Sequence, residues 1–260
     1  MNDVLINILN AYKDLSEVKA VAIGGSSVAN TSDNISDIDI YVFVDKDIPI
    51  DIRNKIVKNY SSKYEVGGEY FGSGDEFFVD KLGQQLDVMY WNTEWIYSVI
   101  DNVWTKHYPS NGYSTAFLYT LNNFEIIYDT DNWLRNLQDS IKTEYPKDLQ
   151  QNIIKRNLML MKDKPFASYY EQIEKALKRN DIVSVNHRIA AFLASYFDII
   201  FAMNKLLHPG EKRLIQYAKE HCKILPKNFE ENINLLLNQP NPNILYILDT
   251  MVNELRTQLL

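Results

Sequence analysis

The sequence has little of what marks a secreted, membrane-bound or nucleic-acid-coating protein. It holds one cysteine in 260 residues, Cys222, so no internal disulfide can form and a disulfide scaffold is excluded. That scarcity points to a reducing compartment. No apolar run approaches the ~18 residues of a membrane-spanning helix. No internal repeat or low-complexity tract is visible, and the opening Met1-Asn-Asp-Val-Leu5 is acidic and soon polar, unlike a secretory signal. The expectation is a soluble, cytoplasmic protein with no membrane partner. Four histidines, His107, His187, His208 and His221, lie at no spacing that suits zinc. Basic charge is also scarce. Lys and Arg number 27 against 34 Asp and Glu, a net charge of −7, so an extended nucleic-acid surface is not expected.

What is present is an ordinary globular composition, 46% hydrophobic and 23% charged, able to bury a core. The length allows one large domain or two modest ones, with two favoured. The pattern changes at Glu144. Residues 1–144 hold 11 Lys and Arg against 22 Asp and Glu, and residues 145–260 hold 16 against 12. An acidic half and a basic half would together suit a metal-bound polyphosphate; solvated helix faces would produce the same asymmetry.

The first half reads as mixed α/β. Val4, Leu5, Ile8, Leu9, Tyr12 and Leu15 recur at helical spacing over 2–16. Val18–Ile23 is a short apolar run stopped by Gly24-Gly25, and Asp37–Val44 alternates as a second strand. Residues 50–60 read as a helix and 64–66 as a short strand. Residues 76–80 and 84–91 flank a Lys-Leu-Gly turn as a hairpin, Asn92 can cap a helix running to about Val103, and 124–128 is a last strand. From Tyr145 the strands stop. Pro146 suits a first helical turn, the longest helix runs from about Ile182 to Leu207 behind the cap Asp181, and others follow near 211–222 and 226–238 and after Asn241-Pro242. The expected architecture is α+β: a mixed-sheet domain over 1–144, then an all-α bundle over 145–260.

The informative segment runs from Ala22 to Val44. On a strand Asp37 and Asp39 share one face while Ile38, Ile40 and Val42 share the other. Two carboxylates about 7 Å apart along a strand repel unless a cation lies between them, and hard oxygens on a rigid element suit magnesium. Gly24-Gly25-Ser26 ends the preceding strand, where glycine lets backbone N–H groups approach a phosphate and Ser26 adds a hydroxyl. A third carboxylate is expected from a neighbouring strand. Asp87 fits, set among apolar residues of the second hairpin arm; Asp80, beside the turn, is the competitor.

At these residues the sequence resembles the nucleotidyltransferase superfamily that includes DNA polymerase β. The likeness covers about residues 18–90 at motif level. Its small-substrate branch, similar to the aminoglycoside and lincosamide nucleotidyltransferases, also carries a C-terminal helical domain of this size. The resemblance implies transfer of a nucleoside monophosphate from a nucleoside triphosphate, ATP first, to a hydroxyl of a small-molecule acceptor, with pyrophosphate released. It implies two magnesium ions held by Asp37, Asp39 and Asp87, with Asp87 also able to take the acceptor's proton. Gly24, Gly25 and Ser26 would cradle the phosphates. Lys212, or Arg213 beside it, is the expected cationic partner of the triphosphate at a helix start; an ordinary solvated first turn is the alternative. Asn204 and Lys205 are lesser candidates, His187-Arg188 and Trp91 could meet the acceptor, and Cys222 reads as a buried small hydrophobe. A monomer or homodimer is expected. A second reading stays open: a nucleotide-binding regulatory protein on the same fold, or a toxin-type enzyme acting on tRNA or protein.

Overall fold

Asn2 opens the first helix by accepting the Val4 N–H on its side chain at 2.8 Å. That helix, α1 (Asp3–Lys13), places Leu5, Ile8, Leu9 and Tyr12 on one buried stripe. The computed structural model describes residues 2–25, 37–70, 72–164, 166–238 and 242–259. The chain divides into two compact units, Met1–Asp101 with Thr120–Thr143, and Asn102–Tyr119 with Glu144–Leu260.

The first unit continues with β1 (Val18–Gly24), β2 (Ile38–Val44), α2 (Ile50–Lys58), β3 (Lys63–Gly68), β4 (Gly74–Val79), β5 (Gln84–Asn92) and α3 (Thr93–Ile100). Asn92 caps α3 by accepting the Glu94 and Trp95 N–H groups, and a π-helical turn, Asp101–Thr105, follows. After α4 (Ala116–Asn122), whose first four residues belong to the second unit, β6 (Glu125–Asp129) and α5 (Trp133–Ile141) complete the first. Among the described residues six strands form one sheet in the order β3-β4-β5-β2-β1-β6; β2 and β5 run parallel and the other neighbours antiparallel.

The alternation of β2 explains why the sheet has two unlike faces. Ile40, Val42 and Val44 join Val21 and Ile23 of β1 and Leu86, Val88 and Tyr90 of β5 in a core with the apolar stripes of α1 and α2. Each such side chain, fully buried, is worth about 1.5–3 kcal/mol. The opposite face carries Asp39, then Tyr41 and Phe43, whose rings pack with Trp91, Phe124 and Trp133 at centroid distances of 4.4–6.0 Å. A buried ion pair ties α2 to the hairpin: Arg53 Nε donates to both oxygens of Asp75 (3.1 and 3.0 Å), and the Tyr90 hydroxyl and Gly67 N–H donate to the same carboxylate.

The second unit is helical: α6 (Lys147–Leu158), α7 (Tyr169–Lys178), α8 (Ile182–Met203), α9 (Leu214–His221), α10 (Phe229–Leu237) and α11 (Ile244–Leu259). Asp181 caps α8 through Ser184 N–H. The core is the long α8, with Phe192, Tyr196, Phe197 and Ile200 packed among Ile173, Phe229, Ile233, Leu248 and Met251. Residues 102–119 are pinned to it by polar bonds. Asp198 accepts from the Ser114 N–H, the Ser114 hydroxyl and Asn157 Nδ2 (2.9, 2.7 and 2.9 Å), and Asn157 accepts the Gly112 N–H. Among the described residues no helix is long and apolar enough to cross a membrane.

Two helix bounds differ from expectation. α8 stops at Met203 because Lys205 lies in the left-handed region (φ 55) and the Leu206 N–H bonds back to Phe201 O; beside it Asn204 clamps residue 224, its amide donating to Ile224 O and its carbonyl accepting Ile224 N–H, both at 2.8 Å. α9 starts at Leu214, not before Lys212, since Arg213 lies in the left-handed region (φ 54) and precedes the helix. Asn204 is thus committed to the fold.

Candidate functional site

Pairing across the sheet assembles the acidic residues. Asp39 of β2 lies directly opposite Gly24 of β1 and beside Asp87 of β5. Residues so paired project from the same face with Cβ atoms about 5 Å apart. Asp37 sits at the exposed entrance to β2, while Asp39 and Asp87 are half-buried. The row continues outward, since Glu76 of β4 lies opposite Asp87 and Glu65 of β3 opposite Glu76. Sequence reasoning missed Glu76 and Glu65 because the row exists only once the strand order is known. The competing Asp80 lies exposed in the hairpin turn, accepting a long 3.4 Å bond from the Ser62 hydroxyl.

The glycines are shaped by this row. Gly25 has φ +70, and a Cβ there would come within 2.7 Å of Asp39 Cγ and closer still to Oδ2. At Gly24 a Cβ would meet the Tyr41 ring at 2.6 Å and the Phe124 ring at 2.9 Å. Both positions therefore exclude side chains, for different reasons. Ser26 falls outside the described residues.

The electrostatics follow from the geometry. Burial raises the Asp87 carboxyl above its ordinary range and the charge of Asp37 raises it further, against a 2.9 Å hydrogen bond donated by Gln85 Nε2. The Tyr41 hydroxyl is raised mainly by burial, then by the charges of Asp39 and Asp87. The aromatic layer beyond the carboxylates includes Trp91, paired with Phe43 and 4.7 Å from the Tyr41 ring. Among the described residues no three of His, Cys, Asp and Glu close up into a set able to hold a metal ion. The donor chemistry still suits one. Asp37 and Asp87 repel each other, and a hard divalent cation between carboxylates would relieve that repulsion.

Lys212 belongs to the second unit, exposed in the turn before α9. Cys222 is half-buried, its thiol pushed up to about 11 by burial.

Residues 5–114 match the family model of the nucleotidyltransferase domain. A second model, described as a domain of unknown function (DUF4037), matches residues 112–214. Of curated proteins, the chain is similar to the isoleucine–tRNA ligase of Prochlorococcus marinus (strain MIT 9301), 27% identical over 118 residues. That stretch is 44% of this chain and only 11% of the ligase. Of solved structures, it is similar to a nucleotidyltransferase-like protein from Exiguobacterium sibiricum 255-15 (TM-score 0.48, 9% identity, 98% of this chain and 72% of that one). It also aligns with the spectinomycin adenyltransferase AAD(9) from Enterococcus faecialis (TM-score 0.29, 15% identity, 97% and 96%).

Proposed function

We propose that this chain transfers a nucleoside monophosphate, AMP from ATP first, to a hydroxyl of a small-molecule acceptor and releases pyrophosphate. Aminoglycosides and lincosamides are the first acceptors to test. The observation that carries the reading is the Gly24–Asp39–Asp87 row, with Gly25 stripped of a side chain beside the Asp39 carboxylate. The nucleotidyltransferase match over 5–114 gives it its chemical context.

In this reading Asp37, Asp39 and Asp87 would hold magnesium. Bound there, the ions would offset the charge on the attacking and leaving oxygens of an in-line displacement. The residues themselves do the rest. The backbone of Gly24 and Gly25 at the end of β1 would meet the phosphate oxygens, with Ser26 as a further donor. Asp87 would also take the acceptor's hydroxyl proton. The Tyr41 and Trp91 rings back the carboxylates with an apolar wall.

The test is pyrophosphate release from ATP, with and without magnesium, across an aminoglycoside and lincosamide panel, with Asp39→Asn as control. The reading expects magnesium-dependent, acceptor-dependent release that the control lacks. Release that is equal in Asp39→Asn, or independent of a divalent cation, would overturn it.

A further inference from the structure

The helical unit contains a cavity of about 690 Å³ between α8, α9 and α10, lined on its floor by Leu193, Phe197, Leu214, Ile215 and Ile233. Its volume is that of sites for drug-sized ligands, which combine an apolar lining with a few placed polar groups. The charged groups at its mouth are unequally committed. Lys219 is paired with Glu230 at 2.6 Å, and Glu220 accepts the Gln216 amide at 2.9 Å. Arg213 also lines the cavity, and among the described residues no hydrogen bond or ion pair engages its guanidinium.

We propose that this cavity is a second ligand site, which takes an amphipathic organic anion: an apolar ring or acyl body with one carboxylate or sulfonate. The body replaces water over the Leu193–Ile233 floor, which favours an apolar group. The anionic group meets Arg213, whose planar fork binds two oxygens at once. Lys219 and Glu230 offset each other and Glu220, the second carboxylate of the lining, accepts from the neutral Gln216 amide, so Arg213 is the cation left for an anionic group. The site needs no nucleotide and does not depend on the transferase reading.

The test is a fluorescence titration of the full chain with 8-anilinonaphthalene-1-sulfonate, then displacement by octanoate. The wild type should show saturable one-to-one binding that octanoate reverses. Arg213→Glu should weaken it tenfold or more, Arg213→Lys less, and Leu193→Trp should abolish it by filling the floor. Circular dichroism checks folding, and should Leu193→Trp misfold, the Arg213→Glu titration decides alone. Non-saturable binding, or wild-type affinity in Arg213→Glu, would overturn the proposal.

Discussion

Gly25 and Asp39 compete for one volume: the side chain that Gly25 lacks would overlap the Asp39 carboxylate. The two residues are fourteen apart in sequence and meet because β1 and β2 pair with Gly24 opposite Asp39. A motif that reads as a turn followed by an acidic strand is, in three dimensions, a carboxylate packed against bare backbone.

Gly25→Ala should therefore be far worse than an ordinary glycine substitution. Its φ of +70 alone costs about 1–2 kcal/mol for a residue with a Cβ, and the methyl must also displace Asp39. We expect at least a tenfold loss of pyrophosphate release. Gly83→Ala is the control, with φ +66 but open space around it, so it bears only the backbone cost and keeps turnover. Equal turnover in both variants would show that the Gly25–Asp39 packing is irrelevant to activity.

Asp39→Asn and Asp87→Asn should each lower kcat by about 10²–10³-fold, the range for losing one preorganised electrostatic contact in the transition state. Neither should lower the melting temperature much, because each removes one of two like charges set side by side. Glu76→Gln, one strand further out and exposed, should leave kcat close to wild type. A comparable fall in all three would mean that the whole row, not its inner pair, governs turnover.

The strands of the site were legible because their signals are local: Gly24-Gly25 stops β1, alternation marks β2, and Lys81-Leu-Gly83 turns the hairpin. Asn92 and Asp181 were legible as caps for the same reason. What could not be read is set by long-range pairing. Asp87 was legible as the third carboxylate from its apolar setting, but not its register: the parallel β2–β5 pairing sets it directly beside Asp39, and no local pattern encodes that. The early end of α8 and the late start of α9 rest on the left-handed Lys205 and Arg213, a conformation that nothing in the local pattern marks. α4 and α5, and the attachment of 102–119 to the helical unit, rest on tertiary bonds such as Ser114 to Asp198.

The Arg53–Asp75 pair makes a prediction about stability alone. Arg53→Met leaves the Asp75 carboxylate buried with only the Tyr90 hydroxyl and Gly67 N–H as donors. Breaking such a pair from one side costs about 3–5 kcal/mol, to be read as a drop in the urea midpoint. The double variant Arg53→Met with Asp75→Leu should recover part of the loss, since no lone charge remains. A double variant as unstable as the sum of its singles would show that the two side chains do not act as a pair.

Two buried groups of the helical unit respond to pH in opposite senses. His208 is fully buried, packed against Tyr113 and Phe201, and burial pushes its imidazole down to about 4. The unfolded chain takes up a proton near pH 6.5 that the folded chain refuses until about 4, so this group's contribution is full above 6.5 and is lost as pH falls through that window. Asp198 behaves oppositely: burial raises it to about 6 despite its three donors, so its contribution is full below about 4 and is lost as pH rises to about 6. His208→Gln retains an acceptor for the Gly210 N–H, and the margin of wild type over it should shrink from pH 6.5 to 4. The margin over Asp198→Asn should instead shrink from pH 4 to 6. Thermal melts followed by circular dichroism at half-unit steps supply both differences. Margins that stay constant across these windows would mean that neither group titrates differently in the folded and unfolded chains.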